Sequence, residues 1–293
     1  MNPRFIHFLF IAVCVACSAS AAERPNVVLF YIDDMGYADP SCFGNPEIKT
    51  PNIDRLAHEG LKLTNYYTNS PICSPSRVAL NTGQAPGRHR VWGHFASKEQ
   101  NKKRNMADFL DPDVQTIAKV LKADGYVTAH FGKWHMGGGR DVVAPLPQAY
   151  GFDESLVSFE GLGERILFDT KGLSGASAKL GHGEHRIVEK HESSGIYVDR
   201  AIDFIIRNKD KPFYLHVFPN DVHDKHVATE EKLAKYENYE KDPFLQAFLA
   251  VLDNMDVQIG RLLDALDEHE ITDNTIVIFT SDNGPTDWPR YYK

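Results

Sequence analysis

The sequence predicts an α/β fold: a mostly parallel central sheet with helices on both faces. Short, uninterrupted apolar runs rich in branched and aromatic residues recur along the chain, the pattern of strands buried on both sides. Between them lie segments with apolar residues at three- and four-residue steps, the pattern of helices. Strand and helix therefore alternate as βαβ units do. Of 293 residues, 42% are hydrophobic and 25% charged, a balance that excludes disorder, collagen-like repeats and a disulfide-dense mini-protein. Lys and Arg number 32 against 40 Asp and Glu, for a net charge of −8. That balance speaks against a nucleic-acid-binding surface.

Residues 1–22 read as a signal peptide. Arg4 gives a positive start, Phe5 to Cys17 an apolar stretch too short for a bilayer, and Ser18 to Ala22 small-residue cleavage sites. Export to the periplasm or beyond is expected, with residues 23–293 as the folded domain and no integral membrane span. Asn26 to Ile32 (NVVLFYI) is the first buried strand, and Thr50-Pro51-Asn52-Ile53-Asp54 opens a helix that ends at Gly60. Leu61 to Tyr67 reads as a strand or an extended segment. Helices are expected at Ser76 to Thr82, closed by Gly83, and at Val114 to Ala123, stopped by Gly125. Tyr126 to Phe131 is the next strand. Gly161 to Lys190, rich in glycine, charge and histidine, reads as a long surface excursion. Ile196, Ala201, Phe204 and Ile205 mark a helix before Pro212, and Phe213 to Phe218 a buried strand. Phe244 to Leu266 has the strongest helical periodicity, and Thr275 to Thr280 (TIVIFT) is one more buried strand.

Ligands of open α/β sheets bind at the carboxyl ends of the strands, and that is where the polar residues gather. The first strand ends in Asp33 and Asp34, the last in Ser281, Asp282 and Asn283. Either pair alone could cap a turn. Together they concentrate negative charge that a hard, oxygen-preferring cation such as Ca²⁺ or Mg²⁺, rather than zinc, would neutralise. The strand near Phe131 leads into Lys133 and His135, which share a face if the backbone stays extended. The strand ending at Phe218 leads into Asn220, Asp221, His223 and His226. Removing the leader leaves two cysteines, Cys42 and Cys73, which could form one disulfide. Cys73 stands at a helix start, where amide donors and the helix end favour anionic character, and Arg77 lies one turn on.

Cys73-Ser74-Pro75-Ser76-Arg77, followed by Leu80-Asn81-Thr82-Gly83, resembles the signature of the type I sulfatases. Four further blocks match in order: Arg24 to Gly36, Thr50 to Ala57, Gly132-Lys133-Trp134-His135, and Thr280 to Gly284. The resemblance implies an alkaline-phosphatase-like fold, in which Cys73 is oxidised to formylglycine by a maturation enzyme. Asp33, Asp34, Asp282 and Asn283 would bind Ca²⁺ together with the hydrated residue 73. One hydroxyl of the hydrate attacks sulfur, and the other lets sulfate leave by elimination. His135 would assist that elimination, Arg77 steady the formylglycine, and Lys133 and His223 hold sulfate oxygens. His223 would stand in for the histidine of the family's Pro-His pair, with His226 as the alternative.

The activity implied is hydrolysis of a sulfated carbohydrate or aryl sulfate. Alternatives are a formylglycine-dependent phosphonate or phosphate monoesterase, a non-catalytic anion-binding protein, and an α/β protein stapled by Cys42–Cys73. In the family a Gly- and Lys-containing block and a C-terminal subdomain follow the Ser281 to Gly284 motif. The chain ends at Lys293, so an N-terminal catalytic domain, incomplete at its C-terminus and lacking that subdomain, is expected.

Overall fold

The computed structural model describes residues 24–137, 141–158, 165–168 and 185–285. The expected leader and most of the 161–190 excursion lie outside the described residues. Strand β1 (Asn26–Ile32) opens the fold, followed by α1 (Pro51–Glu59), α2 (Cys73–Thr82), α3 (Lys98–Lys103) and α4 (Ile117–Ala123). Strands β2 (Val127–Lys133), β3 (Glu154–Ser158), β4 (Arg165–Phe168) and β5 (His185–Val188) come next. Helix α5 (Ser193–Asn208), strand β6 (Phe213–Phe218), helices α6 (Glu230–Ala234) and α7 (Pro243–Glu268), and strand β7 (Thr275–Ser281) complete it.

The strands form one sheet in the order β5-β4-β3-β2-β6-β1-β7. The run from β3 to β7 is parallel, and β4 and β5 add antiparallel at one edge. Because side chains alternate along a strand, each central strand feeds two cores. Val28, Phe30 and Ile32 of β1 and Phe213, Leu215 and Val217 of β6 pack under α5 and α7. On the other face, Leu29, Tyr31 and Phe218 meet Leu80 of α2, while Tyr214 joins Val78, Ala118, Trp134 and Phe152. Helices thus cover both faces, as the patterning requires.

Five local expectations differ from the structure. Helix α2 starts at Cys73 rather than Ser76, because first-turn amides need no partner within the helix and Pro75 is tolerated there. Helix α4 starts at Ile117 rather than Val114, since Thr116 caps it by accepting from Lys119 N–H at 3.2 Å. The Gly161 to Lys190 stretch is not wholly a loop, because it contributes β4 and β5 to the sheet. Strand β7 is not buried on both faces. It pairs with β1 alone at the sheet edge, so Val277 and Phe279 pack inward while Ile276 and Ile278 are exposed. Leu61 to Tyr67 forms no strand, and its Leu61 and Tyr67 stand in solvent.

Two features fix where the strand ends meet. The first amides of α1 are held by a carboxylate from α7: Asn52 and Ile53 N–H both donate to Asp256 Oδ1, at 3.1 and 2.9 Å. In β2, Gly132 takes φ +127°, and a Cβ there would collide with the Phe218 carbonyl of β6. Only glycine lets β2 and β6 approach this closely one residue before Lys133. Gly132→Ala is expected to cost about 2–3 kcal/mol of stability, read from urea unfolding midpoints.

Candidate functional site

Five elements bring their polar residues to one end of the sheet. Strand β1 delivers Asp33 and Asp34, β7 Asp282 and Asn283, β2 Lys133 and His135, and the loop after β6 His223, while the start of α2 delivers Cys73 and Arg77. Lys133 Nζ donates to both Asp33 oxygens at 2.7 Å. Arg77 donates to Asp282 Oδ2 through Nε at 3.0 Å and Nη2 at 2.8 Å, and its Nη2 reaches Asp33 Oδ1 at 3.3 Å. Its Nη1 donates to the Lys133 carbonyl at 2.7 Å. The guanidinium also lies over the rings of Tyr31 and Phe218, at 5.7 and 5.5 Å from their centroids, so its hydrogen bonds and its π face are both engaged by the fold. Arg77 and Lys133 are fully buried, which is tolerable only because each is paired.

Asp34 sits at φ +60° at the strand end, where its N–H donates to Asp282 Oδ1 at 3.1 Å. Its own carboxylate accepts from Asn283 Nδ2 at 2.5 Å and from Cys73 Sγ at 3.6 Å, with His223 Nε2 at 3.4 Å. One ligand atom each of Asp33, Asp34, Cys73 and Asp282 lies within 4.8 Å of all the others. Asn283 Oδ1 is buried and has no hydrogen-bond partner among the described residues. A buried amide oxygen with nothing to donate to it, beside three carboxylates, is an arrangement that suits a cation.

The protonation states follow from crowding. Burial pushes the Asp282 carboxyl up, and although Arg77 pulls it back, Asp33 and Asp34 help raise it to about 7. Burial acts on Asp33 too, but Lys133, His223 and Arg77 hold it well below the usual carboxylate range. The Cys73 thiol is pushed up by burial and then by Asp33, Asp282 and Asp34. The expectation of an anionic Cys73 is therefore corrected: the carboxylates facing it outweigh the helix end. Burial lowers His135 and His223, leaving both imidazoles neutral near pH 7.

The structure separates residues that spacing alone could not. His223 faces Asp34, whereas the His226 ring packs on Phe248 and its Nε2 meets the Val222 carbonyl at 2.9 Å. Asp221 turns away to Ser194 and Asn254. The buried Lys190 ammonium donates to the carbonyls of His223 and Lys225 and so pins the loop that carries His223. Lys133 and His135 do not share a strand face, since β2 ends at Lys133 and His135 takes φ +51°. Cys42 and Cys73 are both free thiols, so no disulfide joins them. One neighbour had no sequence signal: His94, isolated in a loop, stacks on His135 with ring centroids 5.6 Å apart.

Residues 25–287 match the family model described as Sulfatase. The chain is 30% identical to N-acetylgalactosamine-6-O-sulfatase of Bacteroides thetaiotaomicron, an alignment covering 90% of this chain and 60% of that protein. It is 29% identical to human arylsulfatase A, over 93% of this chain and 54% of that one. The crystal structure of Ps i-CgsB superposes with a TM-score of 0.72 at 28% identity, covering 90% of this chain and 59% of that one. A phosphonate monoester hydrolase of Agrobacterium radiobacter shares the fold, with a TM-score of 0.57 at 19% identity over 89% of this chain and 63% of that one. The chain spans a little over half the length of these curated relatives.

The raised Asp282 carboxyl has a testable sign. Ionising a group whose folded pKa exceeds its unfolded value costs stability as the pH rises through the folded pKa. In chelator-treated protein, the stability gained by Asp282→Asn relative to the parent should therefore be larger at pH 8 than at pH 6, read from urea unfolding at both values.

Proposed function

Because the chain belongs to the sulfatase family, we propose that it hydrolyses sulfate esters at this carboxylate cluster, through a residue 73 converted from cysteine to formylglycine and with Ca²⁺ as the metal. The observation that carries this reading is the grouping of Asp33, Asp34, Cys73 and Asp282 within 4.8 Å, beside the unpartnered Asn283 oxygen. The donor set fits the ion: carboxylates and an amide oxygen are the hard oxygen ligands that Ca²⁺ takes directly, whereas Mg²⁺ usually keeps several waters. The high pKa of Cys73 supports conversion as well, since a thiol held protonated among carboxylates is a poor nucleophile. When present, the hydrated aldehyde supplies the attacking oxygen and the cation lowers the cost of its negative charge.

The chain's own residues then divide the work. Arg77 orients Asp282 and Asp33 and holds the Lys133 carbonyl, so it sets the site's shape. Lys133 spends its ammonium on Asp33; sharing Asp33 with a cation would free it to meet sulfate oxygens, together with His223. His135, buried and neutral, is able to take a proton, the state a base requires. His223, 3.4 Å from Asp34, would hold sulfate oxygens, whose negative charge would favour its protonated form and let it give a proton to the departing alcohol. Residues 1–22 act as the signal peptide and 23–293 as the catalytic domain in this reading. No helix among the described residues is long and apolar enough to cross a membrane. Substrates are sulfated carbohydrates or aryl sulfates, consistent with relatives named for N-acetylgalactosamine 6-sulfate and aryl sulfates.

Three results test this. Mass spectrometry of the peptide spanning Cys73, from a host that holds the maturation enzyme, should find the aldehyde or its hydrate. That preparation should release sulfate from an ester panel and do little on parallel phosphonate monoesters. His223→Ala should lower kcat by about 10²–10⁴-fold, the usual worth of a positioned proton donor. An unmodified thiol, or no sulfate release from the modified chain, would reverse the reading.

A further inference from the structure

Beside the carboxylates lies a surface of the opposite sign. Residues 86–105 carry Arg88, Arg90, Lys98, Lys102, Lys103 and Arg104 against one acidic residue, Glu99, in a chain whose net charge is −8. All six cations are exposed, as are Trp92 and His94. Glu99 pairs with Lys103 at 2.7 Å. Arg88, Lys98 and Lys102 have no carboxylate partner for their side chains among the described residues.

Several contacts tie this ridge to the site. Phe95 N–H donates to Ser74 Oγ at 3.3 Å, seating the segment against the first turn of α2. The His94 ring stacks on His135. Arg104 Nη1 donates to the His94 carbonyl at 3.3 Å, and the Arg104 carbonyl accepts from Trp92 Nε1 at 3.1 Å. Arg90 Nη2 donates to Asn105 Oδ1 at 3.0 Å, closing the same stretch. Trp92 therefore stands beside Arg104, and Arg104 beside the histidine that leans on the site. With its N–H engaged, Trp92 is still 46% exposed, so its indole is open to a ligand in solvent.

We propose that this ridge binds the body of a sulfated polysaccharide whose reacting ester occupies the carboxylate site. The proposal rests on the sulfatase reading above and narrows its substrate class. A pyranose presents a face of C–H bonds that stacks on an indole. Sulfate groups on neighbouring sugars meet the guanidinium forks of Arg90 and Arg104, whose planar donors match an oxyanion. The lysines of α3 add attraction over the distance that salt screening allows. A small aryl sulfate needs none of these contacts, so the ridge selects substrates by length and by charge.

The full chain carrying Cys73→Ala, which removes turnover, can be titrated calorimetrically with chondroitin sulfate, heparin and carrageenan hexasaccharides. Their desulfated forms and polyglutamate are the controls. At least one sulfated hexasaccharide should bind, about tenfold or more tighter than either control. Its Kd should rise about tenfold or more on adding Trp92→Ala, and likewise on adding Arg88→Gln, Lys98→Gln and Lys102→Gln together, as hot-spot contacts do. These are exposed positions, and circular dichroism checks that each variant is folded. No hexasaccharide binding, a smaller change in either variant, or polyglutamate binding as tightly would overturn the proposal. If the parent releases no sulfate from any ester yet binds the hexasaccharide through Trp92 and the cations, the catalytic reading falls and the ridge stands. Sulfate release from small esters with ridge-independent binding gives the reverse.

Discussion

Charge is costly to bury unless it is paired, and among the described residues three carboxylates share one nearly dry space with two permanent cations, Arg77 and Lys133. That imbalance governs the site. It lifts Asp282 toward neutrality, keeps the Cys73 thiol protonated, and leaves Asn283 Oδ1 without a donor. A divalent cation among Asp33, Asp34 and Asp282 would resolve all three at once. These residues would then act as one coordination shell around a shared charge.

The fold makes such a concentration possible. Parallel strands deliver their carboxyl ends to the same edge, and the neighbours β6, β1 and β7 carry the acidic residues and His223 there side by side. Helix α2 approaches from the other face, with Cys73 in its first turn and Arg77 one turn later. Glycine at position 132 lets β2 lie close enough to β6 for Lys133 to reach Asp33. Behind them, α7 holds α1 through Asp256, and Lys190 holds the His223 loop. The catalytic reading thus depends on backbone contacts well away from the reacting atoms.

Much of this was legible in the chain. The runs Asn26–Ile32 and Phe213–Phe218 became strands with the expected bounds, because an uninterrupted apolar run admits few alternatives. Asp33, Asp34, Asp282 and Asn283 come together because parallel strands deliver their ends to one edge, whereas Asp221 and His226 turn away. Other features depend on neighbours distant in sequence. Strands β4 and β5 are four residues each and gain their place by pairing with β3. The edge position of β7, which exposes Ile276 and Ile278, follows from strand order rather than composition. The protonated state of Cys73 needed the three carboxylates in view, while the helix start alone pointed the other way. His223 was distinguished from His226 only by the direction its loop turns.

The central claim is that the cluster is built for a cation, and the titration of chelator-stripped chain with CaCl₂ addresses it most directly. Calorimetry at pH 7 in two buffers of different ionisation heat counts both ions and protons. The expected result is a single Ca²⁺ per chain, bound with proton release as Asp282 gives up its proton, and both signals weakened in Asp282→Asn. No binding, or binding that is undiminished in that variant and releases no proton, would contradict it.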